Sequence, residues 1–284
     1  MSSAVHGAVR VQRVGLVPHP HRDTAARLVA LASDRLGAHG VEVRRPLTEG
    51  GTDLDTTDLD VVISLGGDGT MLRAVDTAYE AGVPVLGVNV GQMGYLTEVE
   101  PSEFEVALDR LIAGEYEVAE RMVLEISVES AGSAKGRWYA LNEAVLEKVH
   151  TGRLARLEVD INGTFFTTYA ADGVIVATPT GSTAYSFSAR GPIVSPRHRC
   201  LLLTPVSPHM LFDRSLVLAP EEVLRFTVCD DRSVVLTADG RELGELGAGD
   251  AVSCRGGDLP ARVVTFGPRD FHQILKAKFG LADR

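Results

Sequence analysis

The stretch VVISLGGDGTMLRAV, residues 61 to 75, limits the possible folds of this chain more than any other. The run from Val61 to Leu65, apolar except for Ser64, reads as a strand buried on both faces, and such strands belong to parallel sheets whose crossovers are helices. Gly66, Gly67 and Gly69 then allow a tight turn and close backbone approach. A helical pattern beginning near Thr70 carries Met71, Leu72, Val75, Ala78 and Tyr79 on one face and points its first N–H groups back at that turn. The glycines therefore sit at the carboxyl end of a parallel strand, where open α/β sheets bind ligands.

Neighbouring segments repeat the alternation. VQRVGLV and VEVRR are strand-like and flank DTAARLVALASDRLGAHG, a helix pattern with Asp23 as expected N-cap and Gly40 as stop; VPVLGVNV is a further strand. TEGGTDLDTTDLD reads as an exposed acidic connector. From about Glu120 short β runs follow closely, with Asn162-Gly163 marking a hairpin, and RDFHQILKAKFG closes the chain as a helix. The expected organisation is an α/β domain over 1–118 carrying the glycine loop, a β-rich domain over 119–268, and a closing helix over 269–284 that packs back on the first domain.

The chain has 284 residues, of which 45% are hydrophobic, so a substantial core is available. Its 38 acidic against 28 basic residues give a formal charge of -10, which argues against a general binder of nucleic-acid backbones. No apolar run is long enough to span a bilayer. Cys200, Cys229 and Cys254 are odd in number and lack CxxC spacing, so neither a disulfide framework nor a zinc site is expected, and a reducing cytoplasm fits best.

Asp68 departs from a plain phosphate cradle, because a carboxylate repels phosphates unless it meets a metal or a hydroxyl nucleophile. Phosphoryl transfer needs positioning, charge neutralisation and a carboxylate that orients the attacking hydroxyl. A turn-forming aspartate with no further role is the alternative. The loop is neither a Walker A sequence, since GK[ST] is absent, nor a GxGxxG fingerprint. In TPTGSTAYSFS, the hydroxyls of Thr178, Thr180, Ser182, Thr183, Tyr185, Ser186 and Ser188 suit a ribose, amide or phosphate, or else form a polar surface loop. LNEAVL places Asn142 and Glu143 inside an apolar strand, where they could meet adenine and ribose or be a plain edge-strand pair. His19 and His21 flank Pro20 without further metal ligands, a pattern that fits solvent-facing side chains.

Taken in order, GGDGT, NE and DGVIVATPTGSTAYSFSARGP resemble the NAD kinase family, and GVNVGQMGYL is similar to the stretch that follows in it. The likeness runs from about Val11 to Phe279, with a texture resembling actinobacterial members. The glycine loop alone is shared with diacylglycerol, sphingosine and 6-phosphofructo-kinases; TPTGSTAY is the selective signal. The resemblance implies an α/β domain followed by a mostly β domain, and transfer of phosphate from ATP, or in some members polyphosphate, to the 2′-hydroxyl of the adenosine ribose of NAD. It also implies a divalent cation, usually Mg²⁺, with no metal ligand assigned here, and a homodimer or homotetramer.

By the same resemblance Asp68 is the catalytic carboxylate, with Gly69 and Arg73 beside it, and Gly66, Gly67, Gly69 and Thr70 form the phosphate loop. Asn142, Glu143, Arg153, Ala170 and Asp172 fall at NAD contacts, and Thr183, Ala184, Tyr185, Ser186, Phe187 and Ser188 form a hydroxyl-rich wall. Arg190 stands where the family often has glycine, and Ala170 where choice between NAD and NADH has been placed. A lipid or sugar kinase sharing only the glycine loop, and an NAD(P) sensor without catalysis, are the alternative readings.

Overall fold

The structure is a computed structural model that describes residues 11–48, 53–91, 94–130, 133–150, 152–268 and 270–281. Glu49 to Thr52 of the acidic connector, Gln92 and Met93 of GVNVGQMGYL, and Arg269 of the closing segment lie outside the described residues. The chain divides into two compact units, one formed by Met1–Glu120 with Ala261–Arg284 and the other by Arg121–Pro260.

The first unit is built on a 6-stranded sheet in the order Glu42–Arg44, Arg13–Pro18, Val61–Gly66, Val85–Asn89, Ala261–Thr265 and Glu117–Arg121. Its first five strands pair in parallel. Val61–Gly66 and Val85–Asn89, parallel strands inside the sheet, are buried along their whole length. Val61, Ile63 and Leu65 pack with Leu28, Ala32 and Leu36 of helix Asp23–Ala38 and with Phe104, Leu108 and Leu111 of helix Phe104–Ala113. Helix Asp68–Ala78 brings Met71 over Gly87. The strand order reverses direction between Arg13–Pro18 and Val61–Gly66, a topological switch point of the kind that opens a crevice at the strands' carboxyl ends.

The second unit consists of two 6-stranded antiparallel sheets, in the orders Thr164–Ala171, Ala155–Ile161, Leu224–Val228, Ala251–Gly256, Leu124–Ser130, Ser133–Ala140 and Leu216–Leu218, Leu201–Val206, Gly173–Ala177, Glu143–Lys148, Val234–Ala238, Arg241–Leu246. One apolar cluster, including Ile126, Leu157, Phe226 and Val252 from the first sheet and Leu146, Val176, Leu203 and Leu236 from the second, joins their inner faces. Asn162 and Gly163 take φ of 53° and 76°, the left-handed pair that a two-residue hairpin requires.

Three expectations need correction. The strand Ala261–Thr265, assigned by texture to the β-rich domain, pairs with Val85–Asn89 in the first unit's sheet, so the boundary falls at 260 and not 268. A β run returning to a distant parallel sheet looks locally like its antiparallel neighbours, and pattern alone cannot separate them. Helix Asp68–Ala78 starts at Asp68 instead of near Thr70, and Asp23 is the first helical residue with Arg22 as N-cap. The closing helix Phe271–Phe279 clusters with the first unit, where Lys278 Nζ lies 4.6 Å over the Tyr95 ring.

Among the described residues no helix is long and apolar enough to cross a membrane. The buried Tyr169 is 0% exposed and its hydroxyl has no hydrogen-bond partner there. An unsatisfied buried hydroxyl costs stability that its removal recovers. Tyr169→Phe is expected to leave the fold as stable or to stabilise it by about 1 kcal/mol in denaturant titrations; a loss of similar size would show that the hydroxyl is bonded.

Candidate functional site

In the first unit the site residues gather at the end of strand Val61–Gly66. A side chain at Gly66 would place its Cβ 2.1 Å from Thr70 Oγ1, so the turn closes only on glycine. Thr70 and Met71 donate their N–H groups to Gly67 O at 2.9 and 3.0 Å, and Gly67 caps the helix with no side-chain bond. The first helical amides therefore face the turn without a capping side chain, the usual arrangement for holding an anion.

Asp68 is the first residue of that helix, and its carboxylate accepts the Tyr95 N–H at 2.9 Å and the Leu96 N–H at 3.0 Å. It thereby ties the loop after Val85–Asn89 to the glycine turn. A carboxylate has about four lone-pair positions, so acceptor capacity remains for a substrate hydroxyl. Arg73 stands on the same helix, near enough to His19 to help lower its pKa, although burial is the largest cause and Arg22 the second. His19 is therefore half-buried and not simply solvent-facing, whereas His21 is exposed.

In the second unit Asn142 is not inside a strand. Chain pairing stops at Ala140 and resumes at Glu143, leaving Leu141 and Asn142 in a turn. The cause is a carboxylate that sequence reading passed over. Asp239 accepts the N–H groups of Leu141 at 2.7 Å, Asn142 at 2.8 Å and Glu143 at 3.1 Å, and its own N–H donates to Glu143 O at 3.0 Å. The one available signal was the Asp239-Gly240 dipeptide, a hairpin turn whose φ values are 48° and 76°.

The TPTGS loop holds the same turn from another side. Thr178 donates its hydroxyl to Leu141 O at 2.5 Å and its N–H to Asn142 O at 2.8 Å. Any side chain at Gly181 would meet Asn142 O at 2.1 Å and Asn142 Cα at 2.7 Å, so this contact admits only glycine. Glu143 is consequently buried, 7% exposed, with Oε2 lacking a partner among the described residues. Burial, then the neighbouring Asp239, push its pKa to about 8, against the opposing pull of the Tyr185 main-chain N–H. At neutral pH it is a protonated carboxyl that can donate as well as accept.

The hydroxyl-rich segment does two jobs. Ser182 Oγ lies 2.7 Å from Pro179 O and accepts the Val194 N–H at 3.0 Å; the buried Ser186 hydroxyl meets that of Thr204 at 3.3 Å. These hydroxyls hold the loop. Thr183 and Ala184 are half-buried, and Tyr185, Phe187 and Ser188 are exposed, so they form the part of the wall that a ligand can reach. Tyr185 donates to Glu147 Oε1 at 2.5 Å, and burial followed by that bond raises its phenol to about 12.

Asp172 is half-buried and ion-paired with Lys148. Ala170, half-buried, accepts the His209 N–H through its carbonyl at 2.8 Å. Arg153 is exposed in the turn before Ala155–Ile161, and among the described residues no hydrogen bond or ion pair joins it to the group around Asn142. Arg190 is exposed with φ of 67°, the left-handed conformation that explains a preference for glycine at this place.

Comparison with known proteins gives one answer for both units. Residues 14–116 match the ATP-NAD kinase N-terminal domain and residues 141–266 the ATP-NAD kinase C-terminal domain. The chain is 40% identical over 275 residues to an NAD kinase of Heliobacterium modesticaldum, covering 93% of this chain and 97% of the relative. It is 38% identical to NAD kinase 2 of Streptomyces avermitilis, covering 96% and 95%. A yeast NADH kinase complexed with NADH superposes with a TM-score of 0.88 at 25% identity, over 97% of this chain and 89% of that one. An Archaeoglobus fulgidus NAD kinase in complex with ATP gives 0.72 at 25% identity, over 96% and 100%. With both domains matched and relatives this similar over nearly their whole length, the chain belongs to the NAD kinase family.

Proposed function

We propose that this chain transfers the terminal phosphoryl group of ATP to the 2′-hydroxyl of the adenosine ribose of NAD, giving NADP. The observation that carries the reading is the position of Asp68, a carboxylate at the uncapped start of a helix that follows a glycine turn. The main-chain amides there suit phosphate, and the carboxylate suits the attacking hydroxyl, which it orients and whose proton it accepts. In the second unit Asn142 offers an amide to adenine and the protonated Glu143 a donor to a ribose oxygen, with Tyr185, Phe187 and Ser188 as wall and Asp172 as a further contact. Arg73 and Arg153 add positive charge for the dinucleotide. ATP as donor agrees with the likeness to a kinase bound to ATP.

Among the described residues no three His, Cys, Asp or Glu side chains come together to cage a cation. Mg²⁺ arriving on the donor's phosphates needs only one or two carboxylates from the protein, and Asp68, at the glycine turn, would be the first of them. When bound, the ion neutralises phosphate charge. We place the enzyme in the cytoplasm because Cys200, Cys229 and Cys254 are all free. We also expect a homodimer or homotetramer, given the exposed Phe165, Phe166, Leu211 and Phe212.

The reading is tested by supplying purified protein with NAD, ATP and Mg²⁺ and detecting NADP with an NADP-specific dehydrogenase, in parallel with NADH and polyphosphate. NADP is expected with ATP, and the small Ala170 predicts some phosphorylation of NADH as well. No product in any arm, with NAD still bound, would leave a sensor. Asp68→Asn should lower kcat by about 10²–10⁴-fold while NAD affinity stays within about tenfold; unchanged kcat contradicts the role. For Glu143 the sign follows from its protonated state. The ratio kcat/KM for NAD should fall as pH rises through about 8, because ionisation removes the donor, and a flat profile to pH 9.5 would count against it.

A further inference from the structure

We propose that Asp239 is a positioning residue for NAD, its carboxylate holding the Leu141–Asn142–Glu143 turn in the one conformation that presents the Asn142 amide and the Glu143 carboxyl to the dinucleotide. The inference rests on the assignment of Asn142 and Glu143 to NAD binding made above. It stands on geometry: one side chain satisfies three successive main-chain N–H groups, from Leu141, Asn142 and Glu143, across a sequence separation of 96 to 98 residues. No other carboxylate hydrogen-bonds to that turn among the described residues. A second main-chain bond, Asp239 N–H to Glu143 O at 3.0 Å, fixes the turn's register against the hairpin.

The residue type is demanded twice. The backbone of Asp239 has φ of 48°, a left-handed conformation that aspartate and asparagine tolerate better than other side chains. Only a carboxylate, however, places acceptor oxygens opposite all three donors. Asparagine would keep the backbone and turn its NH₂ group toward an N–H. The charge matters as well, since Asp239 is the second cause, after burial, of the high pKa of Glu143. Two other groups face that carboxyl: the Tyr185 main-chain N–H, which favours ionisation, and the Tyr185 phenol, which stays neutral in this range and is bonded to Glu147.

The test compares Asp239→Asn with Gly240→Ala and Asn142→Ala in steady-state assays with NAD and ATP. Gly240 has φ of 76°, so alanine there strains the same hairpin while leaving the carboxylate in place. Asp239→Asn is expected to raise KM for NAD by about tenfold or more, with kcat within about threefold and KM for ATP within about twofold. Its alkaline limb in kcat/KM for NAD should move to lower pH, because Glu143 loses a neighbouring negative charge. Gly240→Ala should lower the melting temperature with KM for NAD within about twofold of wild type.

The proposal is overturned if Asp239→Asn leaves KM for NAD and the limb in place, or if Gly240→Ala raises KM for NAD as much. Should Asp239→Asn not accumulate as folded protein, Asp239→Ser, which keeps one acceptor, is judged by the same two readouts. Asn142→Ala separates the two levels: a raised KM for NAD there with none in the Asp239 variants sinks this inference alone, whereas an unchanged KM in Asn142→Ala sinks the assignment beneath it.

Discussion

Main-chain N–H groups buried in a turn need acceptors, and each such group left alone costs about 1–3 kcal/mol. Each unit meets this demand with an aspartate. In the first unit Asp68 accepts from Tyr95 and Leu96; in the second Asp239 accepts from Leu141, Asn142 and Glu143. These are the places where strands stop and the chain must turn. A carboxylate there replaces the ladder partner that a neighbouring strand would have supplied. The arrangement also explains how short polar loops stay ordered at the ends of apolar strands such as Val61–Gly66 and Glu143–Lys148.

The same economy governs the hydroxyl-rich loop. Thr178, Ser182 and Ser186 are buried and spend their hydroxyls on holding the loop and its neighbours. The reachable groups lie between and just after them: Thr183, Tyr185, Phe187 and Ser188. A motif that looks like a row of ligand contacts is thus half scaffold, and its glycine at 181 marks where two main chains touch. Glu143 is the product of this packing. It is enclosed by the Asn142 turn, the Tyr185 main chain and Asp239, and enclosure makes it a proton donor at neutral pH in place of the ionised acceptor expected of an exposed glutamate.

Much of this was legible in the sequence because it depends on local pattern. The parallel strand, the glycine turn, the helix after it and the Asn162-Gly163 hairpin all follow from periodicity and turn chemistry within a dozen residues. What was not legible depends on contacts between distant segments. Asn142 looked like part of a strand because the groups that hold its turn, Asp239 and Thr178, lie 97 and 36 residues away in the sequence. The strand Ala261–Thr265 looked like one more β run because nothing in ARVVTF records which sheet it joins. The double use of the TPTGSTAY hydroxyls was hidden for the same reason, since burial decides which are spent.

The account turns on two turns pinned by half-buried carboxylates, and hydrogen exchange of individual amides measures that pinning directly. In the unliganded protein at neutral pH, the N–H groups of Tyr95, Leu96, Leu141, Asn142 and Glu143 should exchange slowly, with protection like that of adjoining strand residues, and Asp239→Asn should release the last three while leaving the first two protected. Exchange of all five at the rate of open loops would contradict the account, because the turns would then be mobile and the side chains they carry would not be held for the substrate.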